Sequence, residues 1–150
     1  MADLLKGKVG IITGASRGMG KAIAKTFAHE GATVGLLDIQ EEELNQVVNE
    51  IQADGGKALG LVTDVRYYDQ VERSVQSIIE KFGAIDILVN SAGLSGNGLV
   101  HEISEADWDT CFDIMSKERF CYVKQWWLLC LSENKVRLLI LDIIGNKHKM

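Results

Sequence analysis

The chain contains no proline, only three cysteines, 7% aromatic residues and no excess of basic side chains. Lysine and arginine number 16 against 21 aspartates and glutamates, a formal net charge of −5. A nucleic-acid partner needs a basic face to displace counterions, so this balance argues against one. No apolar run reaches the roughly 18 residues of a membrane span. The opening stretch Met1 to Lys8 has no hydrophobic segment before its glycines, which reads against a signal peptide. Cys111, Cys121 and Cys130, spaced ten and nine apart, fit no zinc pattern and cannot all pair within one chain. They read as buried, reduced thiols of a cytosolic protein.

What is present is an average globular composition, 47% hydrophobic and 25% charged, which excludes disorder, collagen-like repeats and coiled coil. A length of 150 residues is one domain by expectation, 1–150, large enough to hold a core. Short β-rich runs alternate with helix-length amphipathic segments. Strands are expected at Lys8–Thr13, Thr33–Asp38, Lys57–Thr63 and Ile85–Asn90, with a fifth within Val136–Ile144. Helices are expected at Gly18–Glu30, where Met19, Ala22, Ile23 and Phe27 form the buried face, and at Glu41–Ala53 and Asp69–Phe82. Ser104-Glu105-Ala106-Asp107 has the form of a capping box opening a fourth helix, and Arg119–Leu131 is a further helical candidate. Strands apolar throughout and separated by helices specify a parallel sheet covered on both faces, hence a doubly wound α/β fold with strand order 3-2-1-4.

The vocabulary changes near residue 107. Fourteen of the fifteen glycines lie at or before Gly98, no alanine follows Ala106, and all three cysteines come after that point.

Four strand ends carry chemistry. Thr13-Gly14-Ala15-Ser16-Arg17-Gly18-Met19-Gly20 follows a strand and opens a helix. Gly14 permits a tight turn, Gly18 lets the backbone approach a pyrophosphate, and Gly20 lets the helix pack close to the sheet. The helix start offers unpaired N–H groups and partial positive charge, an anion site. Asp38 ends the second strand, placed to accept from both ribose hydroxyls of an adenosine and to repel a 2′-phosphate; the alternative is a cap for the next helix. Arg17 pulls the other way, since its guanidinium is able to reach a 2′-phosphate. After the third strand, Asp64 is suited to accept from an exocyclic adenine amine, with Val65 as an apolar wall. Asn90-Ser91-Ala92-Gly93 follows the fourth strand. In the expected order the first and fourth strands are neighbours, so their two small-residue loops face one crevice at the point where ligands bind.

These four motifs, in this order and spacing, resemble the short-chain dehydrogenase/reductase family over roughly residues 5 to 115. The resemblance implies a Rossmann fold, a nicotinamide dinucleotide and reversible hydride transfer between an alcohol and a ketone, in cytosolic dimers or tetramers. Gly14, Ser16, Arg17, Gly18, Met19, Asp38, Asp64, Val65, Asn90, Ala92 and Gly93 are the implied cofactor residues, Met19 and Val65 acting through main chain or apolar contact. Asp38 favours NAD and disfavours NADP.

Family catalysis uses an Asn, a Ser and a Tyr-x-x-x-Lys pair in which the ammonium favours the phenolate. Here Met115 stands where the helix Asn is expected and Asp142 where the Ser is expected. None of Tyr67, Tyr68 or Tyr122 has a lysine four positions on. No catalytic residue is therefore assigned. His101 and Trp126–Trp127 read as a solvated loop histidine and as packing residues. The stretch 116–150 is expected to be an aberrant tail, from a truncated or frameshifted coding sequence, on a segment of marginal stability. The competing expectations are a dinucleotide-binding module without turnover and an interaction protein pairing through a bare sheet edge.

Overall fold

The computed structural model describes residues 3–93, 102–117, 120, 121, 124 and 139–142. Five strands, β1 (Val9–Thr13), β2 (Thr33–Asp38), β3 (Lys57–Val62), β4 (Ile87–Asn90) and β5 (Leu139–Asp142), form one parallel sheet in the order β3-β2-β1-β4-β5. Helices α1 (Gly18–His29), α2 (Glu41–Ala53) and α3 (Tyr68–Phe82) make the crossovers, and α4 (Glu105–Phe112) runs on into a π-helical turn at Asp113–Lys117. The order is the one that right-handed crossovers require of this alternation.

The central strands β1 and β4 are buried from end to end because both faces of the sheet are covered there. Ile12, Leu36, Ile87 and Val89 pack with Ala24 of α1 and Leu44, Val47 and Ile51 of α2. Their strand neighbours Ile11, Leu37 and Leu88 turn the other way, onto Val71, Val75 and Ile78 of α3 and Cys121. Ile11, Ile12, Leu36, Leu37 and Leu88 are all completely buried. Helix α3 ends on Gly83 at φ +84, the left-handed stop that glycine supplies without strain. On the outer side, Glu50 of α2 accepts from Lys21 at 3.0 Å and Lys25 at 3.1 Å of α1, and these cations hold its carboxyl below the usual range.

The expected face of α1 requires correction. Met19 is 48% exposed and Ala22 is exposed, whereas Gly20 and Ala24 are buried, flanked by half-buried Ile23 and Phe27. The cause is proximity: a Cβ on Gly20 would overlap the carbonyl oxygen of Gly14. The helix lies so near the glycine turn that a residue with no side chain makes the contact, and the buried stripe is 20, 23, 24 and 27. Other boundaries shift by one or two residues. β4 starts at Ile87 because the Asp86 side chain is turned back to accept from Val9 N at 2.9 Å and Lys8 Nζ at 3.0 Å. Ser104 caps α4, its Oγ accepting from Asp107 N at 3.1 Å. Of the candidate helix 119–131 only Phe120, Cys121 and Lys124 are described, and all three are helical. His101, Tyr122, Trp126, Trp127 and Cys130 lie outside the described residues.

Candidate functional site

β1 and β4 are paired side by side, Ile12 opposite Val89, and the chain leaves them in opposite directions. The two loops meet at their carboxyl ends, and Thr13 fastens them. Its Oγ1 accepts from Ser91 N at 2.9 Å and Ala92 N at 3.0 Å and donates to Val89 O at 3.4 Å. Gly14 follows at φ +60, and a Cβ there would stand 2.8 Å from Ala92 Cα and 2.9 Å from Ser91 O. A side chain at 14 is excluded on both counts, by backbone conformation and by the neighbouring loop. The sequence alone assigns Thr13 no role beyond its place at the start of the glycine motif. A buried hydroxyl ending an otherwise apolar strand, immediately before the glycine turn, was the available signal. Thr13→Val is expected to cost about 2 kcal/mol, because two main-chain donors lose their acceptor, with Thr13→Ser restoring most of it; urea unfolding measures both.

Helix α1 presents an uncompensated positive end. Arg17 is its N-cap in extended conformation, φ −153, with no side-chain capping bond and no acidic residue in the first turn. By contrast α2 places Glu41, Glu42 and Glu43 in its first turn. The amides of Gly18, Met19 and Gly20 have no carbonyl within the helix to bond. Gly18 lies at φ +57 with nothing within 4 Å of a hypothetical Cβ, so open space faces its main chain. Beside it the Ser16 hydroxyl is buried without a hydrogen-bond partner among the described residues, in a side chain 4% exposed. A buried orphan hydroxyl and three free amides around an open turn fit the oxygens of a phosphate.

Asp38 shares that turn. Its Oδ2 accepts from Ser16 N at 3.0 Å and its Oδ1 from Gln40 N at 3.0 Å. It does not cap α2, whose N-cap is Gln40. Two N–H donors on a carboxylate with about four acceptor positions leave two open, enough for a vicinal diol. Ala15 N donates to Leu37 O at 3.3 Å, which ties the turn after β1 to the end of β2.

Asp64 and Val65 lie past the end of β3. Val65 is 6% exposed, its side chain in the α3 core, so its main chain is what faces outward. Asp64 is engaged by Arg66: Nε contacts Oδ1 at 2.9 Å and Oδ2 at 3.1 Å, Nη2 contacts Oδ2, and Arg66 N donates to Oδ1 at 3.0 Å. The guanidinium holds the Asp64 carboxyl below its ordinary value. A depressed carboxylate pKa adds stability above the unfolded value and loses it as pH falls through the folded one. The stability deficit of Arg66→Met, by urea unfolding, is therefore expected to be largest at neutral pH and to shrink below about pH 4.

Asn90 is 4% exposed at the end of β4, Ala92 is half-buried and Gly93 exposed at the crevice. Met115 falls in the π-helical turn, and Asp142 pairs in register with Asn90. The structure thus gathers Gly14, Ser16, Arg17, Gly18, Met19 and Asp38 at one turn, sets Asn90, Ala92 and Gly93 beside it, and puts Asp64 and Val65 at the end of β3.

No helix among the described residues is long and apolar enough to cross a membrane. Residues 8–134 match the family model for short chain dehydrogenases. The 3-oxoacyl-[acyl-carrier-protein] reductase of Thermotoga maritima is 41% identical over 116 residues, covering 77% of this chain and 47% of the relative. The 2,3-dihydro-2,3-dihydroxybenzoate dehydrogenase of Bacillus subtilis is 38% identical over 112 residues, covering 75% and 43%. Among solved structures, a short-chain dehydrogenase/reductase from Burkholderia phymatum in complex with NAD superimposes with a TM-score of 0.84 at 31% identity, covering 92% of this chain and 49% of that one. The chain spans about half the length of the curated relatives it matches. On its sheet order, its glycine turn and these matches, the chain belongs to the short-chain dehydrogenase/reductase family of oxidoreductases, with a Rossmann-type fold.

Proposed function

We propose that residues 3–93 bind NAD in preference to NADP, as the cofactor half of an oxidoreductase acting on an alcohol and its ketone. The observation that carries this is the 3.0 Å bond from Ser16 N to Asp38, which puts a carboxylate with spare acceptor capacity next to the anion-binding turn. In this reading the amides of Gly18 and Met19 and the Ser16 hydroxyl hold the diphosphate. Asp38 accepts from the ribose hydroxyls, and its charge repels a 2′-phosphate despite Arg17. Asp64 accepts from the adenine amine while Val65 N donates to the ring. Asn90, Ala92 and Gly93 leave room for the nicotinamide end. When bound, that ring gives or takes hydride.

Proton transfer is a separate matter. These 150 residues hold no Tyr-x-x-x-Lys pair, and Met115 and Asp142 have the wrong chemistry for the amide and hydroxyl roles. Residues 1–150 by themselves are proposed to bind the dinucleotide without turning it over. A cysteine content of three, Cys111, Cys121 and Cys130, suits the reducing cytosol. Exposed Trp108 and Phe112 offer apolar area to a second copy. Fluorescence titration with NADH and NADPH, followed by a panel of alcohols at saturating NAD, tests both parts. NADH binding without reduction of NAD is expected; oxidation of any alcohol in the panel refutes the second part.

A further inference from the structure

We infer that Arg66 latches Asp64 shut, so that it sets how strongly the site distinguishes adenine from other purines; this rests on the dinucleotide reading above. The two strand-end carboxylates differ in one countable respect. A carboxylate offers about four acceptor positions. Asp38 accepts two N–H groups and retains two positions. Asp64 takes four contacts, two on each oxygen, from three N–H groups of Arg66, the Nε–H being shared between both oxygens. At most one position is left for the amine of an adenine, and the guanidinium spans both oxygens.

The loop is built so that this occupancy is reversible. Arg66 N is fixed, because it closes a short turn on Oδ1 and Tyr67 N donates to Asp64 O at 3.1 Å. The guanidinium is not. The Arg66 side chain is 38% exposed, so water lies open to it, and its charged carbon stands 5.7 Å from the centroid of the exposed Tyr67 ring. Swinging away from Asp64 keeps that cation–π contact within reach, frees Oδ2 and leaves only the main-chain bond on Oδ1. Val65 N, between them, has no hydrogen-bond partner among the described residues. A purine arriving here meets a donor at Val65 in either state. Beyond it stands the arginine when the latch is closed, or a carboxylate with Oδ2 unoccupied when it is open.

The two states read position 6 of the purine differently. An open Asp64 accepts from an amine and repels a carbonyl oxygen. A closed Arg66 has donors that suit the carbonyl and do not suit the amine. Opening the latch consumes part of the adenine's binding free energy, so the wild-type chain is a poor discriminator of the two bases. Arg66 acts through Asp64 and is a positioning residue for specificity.

The test uses NADH and its reduced hypoxanthine analogue, which carries a carbonyl in place of the amine, titrated into wild type, Arg66→Met and Arg66→Met/Asp64→Ala. Wild type should bind the two within about threefold of each other. Arg66→Met should favour NADH by about tenfold or more, the value of one hydrogen bond to a charged acceptor. The double variant should return the ratio to near one. An identical ratio in wild type and Arg66→Met overturns the latch while leaving dinucleotide binding standing. Failure of all three proteins to bind either compound overturns the dinucleotide reading, and the latch with it.

Discussion

Gly14→Ala is expected to lower stability by about 3 kcal/mol and to abolish NADH binding. Two costs combine at this position. The residue sits at φ +60, where a Cβ is strained by about 1–2 kcal/mol. The same Cβ would lie 2.8–2.9 Å from the main chain of Ser91 and Ala92, which cannot yield as the tip of a flexible side chain does. Overpacking of that kind costs about 1–3 kcal/mol. Relief would push the loop after β4 away from β1 and break the bonds Thr13 makes to it. The thermal midpoint should fall by roughly 6–12 °C. Gly18→Ala is the informative contrast. It shares the positive φ but meets nothing within 4 Å, so its stability cost is confined to about 1–2 kcal/mol of strain. Its methyl group would stand in the open space where the diphosphate is proposed to lie, so binding should suffer out of proportion to stability. Equal stability losses at 14 and 18 would mean that the two loops do not meet as described.

Asp38→Ala is expected to weaken NADH binding by about 100-fold. Two hydrogen bonds from ribose hydroxyls to a charged acceptor are lost, and about 3 kcal/mol is a conservative sum for them. Removing the carboxylate also removes its repulsion of a 2′-phosphate, while exposed Arg17 remains to attract one. The preference should therefore move toward NADPH, by at least about tenfold in the ratio of the two affinities. Folding should be less affected, by about 1 kcal/mol, since Ser16 N and Gln40 N lose an acceptor at a half-buried site that water reaches. A variant that binds both dinucleotides as wild type does would remove Asp38 from the site.

The fold was legible because its signals were strong and redundant. Uninterrupted apolar strands, four helix-length segments and right-handed crossovers leave few alternatives to the order found. The glycine turn was legible for a related reason: each glycine answers to a separate steric demand, and those at 14 and 20 are verified by what a Cβ would strike. Where sequence reasoning erred, it had weighed residue type without geometry. Met19 was placed in a buried face on its hydrophobicity, yet the contact belongs to Gly20, which no hydrophobic template counts. Val65 was expected to act through main chain or apolar contact, and with its side chain in the α3 core the main chain is what remains for that role. Thr13 and Arg66 went unnoticed because their importance lies in what they bond. Thr13 joins loops 78 and 79 positions away, a relation no local window contains. Arg66 is two positions from Asp64 and so was visible, but arginine beside aspartate on a surface loop is too common to carry weight until four contacts on one carboxylate are seen.

The placement of the diphosphate at the start of α1 is tested by the backbone amide resonances of Gly18 and Met19. During titration with NADH both should shift progressively and saturate together with the fluorescence change, the mark of a diphosphate settling on those N–H groups. Resonances at Gly18 and Met19 that stay in place while NADH binds would contradict it, because the dinucleotide would then be held elsewhere.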